Sequence, residues 1–265
     1  IHQERGNANK LLARLIHGLQ QTLPVQLSQI DGGTLRNAIP REASALIAIP
    51  AAEAARLVEQ VALLRQELQE ELKEVDAGLE IDLIQSTLPA TVMAPDAQQR
   101  LLYALLACPN GVIRMNQAIA GVVETSTNLA TVAERDGALE ILMSNRSSVA
   151  TALRAVQGRL RALGELAGAK VESLDGYPGW QPNLASPLLA ASQRVHERLF
   201  GKAAHVGAMH AGLECGIVGE KVPGMDMISF GPTIQFPHSP DEQVEIPSVA
   251  RFWQLLTALL ADLAS

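Results

Sequence analysis

Histidines, loop carboxylates and one strand-end arginine are the groups through which this chain could do chemistry. His238 follows a Gly231-Pro232 turn and sits in a short polar loop with Ser239, Asp241 and Glu242, ahead of an apolar helical pattern. A histidine on such a loop is placed to ligate a metal ion, and a neighbouring carboxylate can orient its second ring nitrogen. A plain surface histidine is the competing reading. Arg146 closes an apolar strand immediately before a helix. Its guanidinium suits a bidentate pair with a carboxylate, either a ligand's or an internal one. Glu214 lies in a Gly-rich segment that begins a helix, where a carboxylate also favours the positive end of the dipole. His17 and His196 fall on helical patterns as surface residues, and His205 and His210 flank a short apolar run as structural ones. The Gly32-Gly33 pair and the phrase ending in Pro40 form neither a phosphate-binding loop nor a dinucleotide fingerprint. There is no HExxH, no Cys/His knuckle and no GxSxG elbow, and neither cysteine has a local catalytic signature.

These groups need a frame. Leu11, Leu12, Leu15, Ile16 and Leu19 predict a helix over 7–22, ended by Pro24. Strands are expected over 25–29 and 43–49, a long helix over 51–75 and a third strand over 81–85. A similar passage follows. It has a helix over 95–107, strands over 112–116 and 121–132, and a hairpin at Asp136-Gly137. The returning strand covers 139–143, then come a helix over 147–167 and a strand over 171–174. Two rounds of helix, strand, strand, helix, strand suggest an approximate internal duplication. The fold class expected is an α+β domain, an antiparallel sheet with helices on one face. A Pro/Gly/aromatic stretch over 176–183 marks a crossover between domains. Ser186-Pro187 caps a helix reaching Phe200, short strands are expected over 203–209 and 227–230, and a helix over 246–263 closes the chain.

Composition narrows the function classes. The chain has 265 residues, 48% of them hydrophobic and 18% charged, which supports a sizeable core and excludes wholesale disorder. With 28 acidic against 21 basic residues and few aromatics, it has neither the basic stripe nor the stacking platform of a nucleic-acid binder. No apolar run is long enough to cross a bilayer, so no membrane partner is expected. Two distant cysteines and no export signal at residue 1 point to the cytoplasm.

Several phrases, taken in order, resemble one family. They are Arg-Gly-Asn-Ala-Asn-Lys at 5–10, the 32–40 phrase, Val-Glu-Thr-Ser-Thr-Asn-Leu at 123–129 and Tyr-Pro-Gly-Trp-Gln-Pro at 177–182. His-Ala-Gly-Leu-Glu-Cys-Gly at 210–216 and Ile-Ser-Phe-Gly-Pro at 228–232, leading to His238, complete the set. The chain resembles the aminoacyl-histidine dipeptidases, also called Xaa-His or cytosol non-specific dipeptidases. These are dinuclear zinc peptidases related to carboxypeptidase G and the aminoacylases. The resemblance implies a lid or dimerisation domain over 1–185, followed by the C-terminal segment of an α/β catalytic domain over 186–265. It implies hydrolysis of dipeptides with a free amino end. Two zinc ions about 3.5–4 Å apart would polarise the scissile carbonyl, with a carboxylate as general base. By motif, His238 matches a metal ligand. Asn37, Arg146 and Gly212 match substrate-binding positions, Arg146 as the grip on the substrate carboxylate and Gly212 as a backbone contact to the same end. Glu214 and Ser229 lie in matching motifs without an assigned role.

The family's remaining metal ligands and its general base would fall upstream of residue 1, as would the lid histidine that stabilises the oxyanion. His2 aligns elsewhere and does not replace it. The expectation is therefore an active full-length parent, a homodimer paired through its lid domains, and a 265-residue chain that is inactive alone. The alternative is a non-catalytic α+β interaction module.

Overall fold

The computed structural model describes residues 1–117, 119–174, 176, 179–180, 183–207, 214–236 and 241–265. The chain divides into two compact units, Ile1–Asp175 and Gly176–Ser265.

In the first unit, α1 (Ala8–Gln20) starts at Asn7, whose side chain accepts a hydrogen bond from the Lys10 N–H and so satisfies one of the helix's unpaired donors. Its Ala13, Ile16 and Leu19 are buried at helical spacing. β1 (Gln26–Gly32) and β2 (Ala43–Ala48) pair antiparallel, with a bulge between Leu27 and Gln29. A single 3-10 turn, Ala51–Glu53, leads into α2 (Ala54–Leu72). Leu57, Val61, Leu68 and Leu72 form the buried stripe of α2. Next come α3 (Pro95–Ala107), entered through a proline, then β3 (Gly111–Met115), β4 (Val123–Arg135), β5 (Ala138–Ser147) and α4 (Ala150–Leu166). Asp136 and Gly137 both take positive φ, 53° and 75°, as a two-residue hairpin that follows strand twist requires.

β4 is the axis of the five-stranded sheet. β5 lies antiparallel along it from Thr125↔Ser147 to Arg135↔Ala138. The opposite edge is shared by β3, with Gly111 against Thr127, and by β1, with Gly32 against Val132. Leu27 and Ile30 of β1, with Leu129 and Val132 of β4, bury against Ala13 and Ile16 of α1 and Leu102 and Leu105 of α3. Each fully buried aliphatic side chain contributes about 1.5–3 kcal/mol. A second cluster joins Leu19, Leu23 and Val25 to Leu57 and Val61 of α2. Gly32 and Gly33 do more than turn the chain. A Cβ at Gly32 would collide with Asn9 Oδ1 and the Ala43 side chain, and Gly33, at φ 75°, presses against the Ala130 carbonyl.

The second unit contains α5 (Pro187–Phe200), α6 (Glu214–Lys221), a two-residue ladder of β6 (Ile234–Gln235) with β7 (Gln243–Val244), and α7 (Ile246–Leu263). Ser186 Oγ accepts from the Leu189 N–H, and Gly201 ends α5 in the left-handed conformation, φ 67°. The core is small: Ala191, Val195 and Leu259, flanked by Leu188, Ile228, Leu255 and Ala258.

Some expected strands are absent. Residues 81–85, 171–174, 203–207 and 227–230 have no ladder, and 208–209 lie outside the described residues. Apolar composition favours extended chain, but a strand exists only where a neighbour accepts its hydrogen bonds. At 81–85 the chain anchors through Ile81 on the α2 cluster, while Ile84 stands 81% exposed.

Candidate functional site

The site is built on β4. Between Thr125 and Leu129 its register with β5 is unbroken. Leu129 and its partner Met143 pack on the helices. By alternation, Thr127 and Thr125 face that same side, and Ser126 and Asn128 face the other. Arg146 stands opposite Ser126, and Ser144 opposite Asn128. Arg146 therefore projects from the sheet face away from α1 and α3. It is half-buried and itself makes a polar or electrostatic contact.

Asn37 reaches this neighbourhood by another route. It is exposed in the turn between β1 and β2, where the Ala38 N–H donates to the Leu35 carbonyl at 3.3 Å. Asn128 Nδ2 donates to the Ala38 carbonyl at 2.7 Å. The residue beside Asn37 is thus tied to the strand position two residues along from the Arg146 partner, a step of about 7 Å on the same face. Two of the sequence-derived candidates are brought to one region. The other two, Gly212 and His238, lie outside the described residues, as does His210. Glu214 is the exposed first residue of α6, and Ser229 is exposed in an irregular segment.

Buried polar groups on the strand are satisfied by one another. Thr125 Oγ1 and Ser147 Oγ share a bond of 2.8 Å, and Thr127 Oγ1 donates to Asn145 Oδ1 at 2.7 Å. Glu124, 8% exposed, faces Arg114 Nη1 across 3.6 Å. Asn7 Nδ2 donates to Asn110 Oδ1 at 2.9 Å, to Asn128 Oδ1 at 3.1 Å and to the Leu129 carbonyl at 3.0 Å. Such networks define a position because each unmade bond would strand a desolvated group. Asn7 and Asn128 were legible only as members of family phrases. The physical signal is a polar run inside an otherwise buried strand.

Lys10, Cys108, His17 and His196 have structural settings. Lys10 Nζ donates to the carbonyls of Leu105, Leu106 and Cys108, capping the end of α3. Burial lowers the Lys10 pKa, and burial pushes the Cys108 thiol up, away from the thiolate a nucleophile needs. His17 packs edge-on against Tyr103, and His196 Nδ1 bonds the Lys202 carbonyl. Among the described residues, no group of three His, Cys, Asp or Glu could hold a metal ion. The described side chains thus do not assemble a zinc centre. No helix among them is long and apolar enough to cross a membrane.

Comparison with known proteins adds three findings. Residues 1–76, spanning α1 to α2, match the peptidase dimerisation domain family. The chain is 43% identical over 263 residues to the cytosol non-specific dipeptidase of Escherichia coli, covering 99% of this chain and 54% of that protein. It superposes on the crystal structure of aminoacylhistidine dipeptidase from Vibrio alginolyticus with a TM-score of 0.89 and 42% identity, over 98% of this chain and 53% of the other. The chain spans about half the length of the relatives it matches.

Proposed function

We propose, from the premise that this chain corresponds to about half of an aminoacylhistidine-dipeptidase-like protein, that the full-length parent hydrolyses dipeptides, Xaa-His types among them, with broad specificity. The observation that carries this reading is similarity running end to end at 43% identity. In this reading 1–185 is the lid and dimerisation domain, with an approximate internal duplication. Residues 186–265 are the C-terminal segment of the catalytic domain. The protein works in the cytoplasm as a homodimer paired through its lids, which the family match over 1–76 supports.

The chain's own part is substrate positioning. Arg146, anchored on β5, receives the dipeptide carboxylate through two parallel N–H···O bonds. By the family resemblance, Asn37 and Gly212 are further substrate-binding positions. Fixing the substrate this way converts hydrolysis into attack on an oriented bond. Zinc chemistry belongs to the parent, two ions in all. His238 is the ligand this chain contributes, and one imidazole does not hold two ions. The general base lies outside the 265 residues, so the chain alone is inactive.

The test is hydrolysis of a Xaa-His dipeptide by both forms with added zinc, with light scattering alongside. Turnover by a dimeric full-length protein and none by the 265-residue chain is expected. An inert full-length protein refutes the reading, and an active chain refutes the assignment of the missing groups. The second reading, a pure interaction module, draws on the dimerisation-domain match and the self-contained core of the first unit. It predicts a full-length protein that dimerises without binding stoichiometric zinc.

A further inference from the structure

The turn that carries Asn37 is pinned at both ends by backbone. The Gly33 N–H donates to the Glu42 carbonyl at 3.2 Å, and the Ala8 N–H donates to the Pro40 carbonyl at 3.1 Å. Between those anchors residues 34–38 are exposed, without an apolar side chain that is buried to hold them. Leu35, the one large hydrophobic there, is 58% exposed. The middle of the turn is instead held by a side chain from 90 residues away, Asn128, through its 2.7 Å bond to the Ala38 carbonyl.

Asn128 is built for this. It is 8% exposed, and its two amide ends do different work. Nδ2 donates to the turn, while Oδ1 accepts from Asn7. Asn7 is in turn fixed by capping α1 and by bonds to Asn110 and the Leu129 carbonyl. Asn110 Oδ1 also accepts from the Leu129 N–H at 3.0 Å. Asn128 therefore connects a hydrogen-bonded frame to an exposed turn, and does so on the sheet face from which Arg146 projects.

We infer that Asn128 is a positioning residue: its amide latches the 33–40 turn to β4 and sets Asn37 at a fixed offset from Arg146, so that substrate meets both at once. The inference rests on the proposed dipeptidase reading and adds to it a residue that itself need not touch substrate. Carboxamide chemistry is required. A carboxylate would face the Ala38 carbonyl acceptor to acceptor, and alanine would remove the donor to that carbonyl, while the Asn7 amide keeps Asn110 and the Leu129 carbonyl as acceptors.

The experiment is a double-mutant cycle in the full-length protein with Asn128→Ala and Asn37→Ala, read by steady-state kinetics on a dipeptide. Asn128→Ser serves as the second variant should alanine impair folding. Asn128→Ala is expected to lower kcat/KM at least tenfold, mostly through KM, when Asn37 is present. It should lower it less than twofold when Asn37 is already alanine. A merely structural role would give equal losses in both backgrounds, and that result overturns the inference. Hydrogen exchange supplies a readout independent of turnover. The peptide spanning 33–40 should exchange at least tenfold faster in Asn128→Ala, with peptides from β5 within twofold of the parent. Unchanged exchange over 33–40 also overturns it. If the unmutated protein hydrolyses no dipeptide, the functional reading fails, and exchange over 33–40 still decides whether the latch exists.

Discussion

Two adjoining buried stretches of β4 work by different physics. From Leu129 to Val132 the strand contributes Leu129, Ala130 and Val132 at 0% exposure, and Leu129 and Val132 lock it to α1 and α3 through apolar contact. From Glu124 to Asn128 every residue is polar and every one is buried. Burial there returns little net stability, because each protein hydrogen bond replaces one to water and nets only about 1 kcal/mol. What it returns is direction. Hydroxyls and amides satisfy one another at fixed angles, and the groups attached to them inherit that geometry. The apolar stretch decides whether the domain folds, and the polar stretch decides where Arg146 and the Asn37 turn stand.

This contrast can be broken by substitution on either side of it. Leu129→Ala should cost about 2–5 kcal/mol of unfolding free energy, through lost transfer energy and the cavity left behind. Urea denaturation of the chain measures it, and a loss under about 1 kcal/mol would mean that this stretch is not the core. Thr127→Val keeps the shape and removes the hydroxyl that donates to Asn145. A loss of about 1 kcal/mol is expected by the same measurement. A loss as large as that of Leu129→Ala would erase the distinction between the two stretches.

The same contrast explains what was legible in the sequence. Apolar spacing placed α1, α2, α3 and α7 to within a few residues, because Ile16 and Leu19, or Leu57 and Val61, must share a face to be buried. Local chemistry placed the hairpin at Asp136-Gly137 and the start of α5 at Ser186-Pro187. Strands without a partner misled. Residues 81–85 have the composition of a strand, but composition does not state whether a neighbour is there. Of the candidate site, Arg146 was legible at the end of its strand, and the family phrases pointed to Asn37. The bond that brings them into one region was not, because Asn128 and Ala38 are 90 residues apart and nothing local in either segment specifies the other. A polar run in a strand signals that partners exist without naming them.

The central claim is that the polar stretch of β4 and its β5 partner present Arg146 to a substrate carboxylate. Kinetics of full-length Arg146→Ala on a dipeptide and on the same dipeptide with an amidated C-terminus test it most directly. The account predicts that kcat/KM on the free dipeptide falls by about 2–4 kcal/mol of transition-state binding, roughly 30- to 1000-fold. Activity on the amide should change little, so that the preference for a free carboxylate collapses while the melting temperature holds. Equal effects on both substrates, or unchanged kinetics with a lowered melting temperature, would show that Arg146 serves an internal ion pair and would contradict the account.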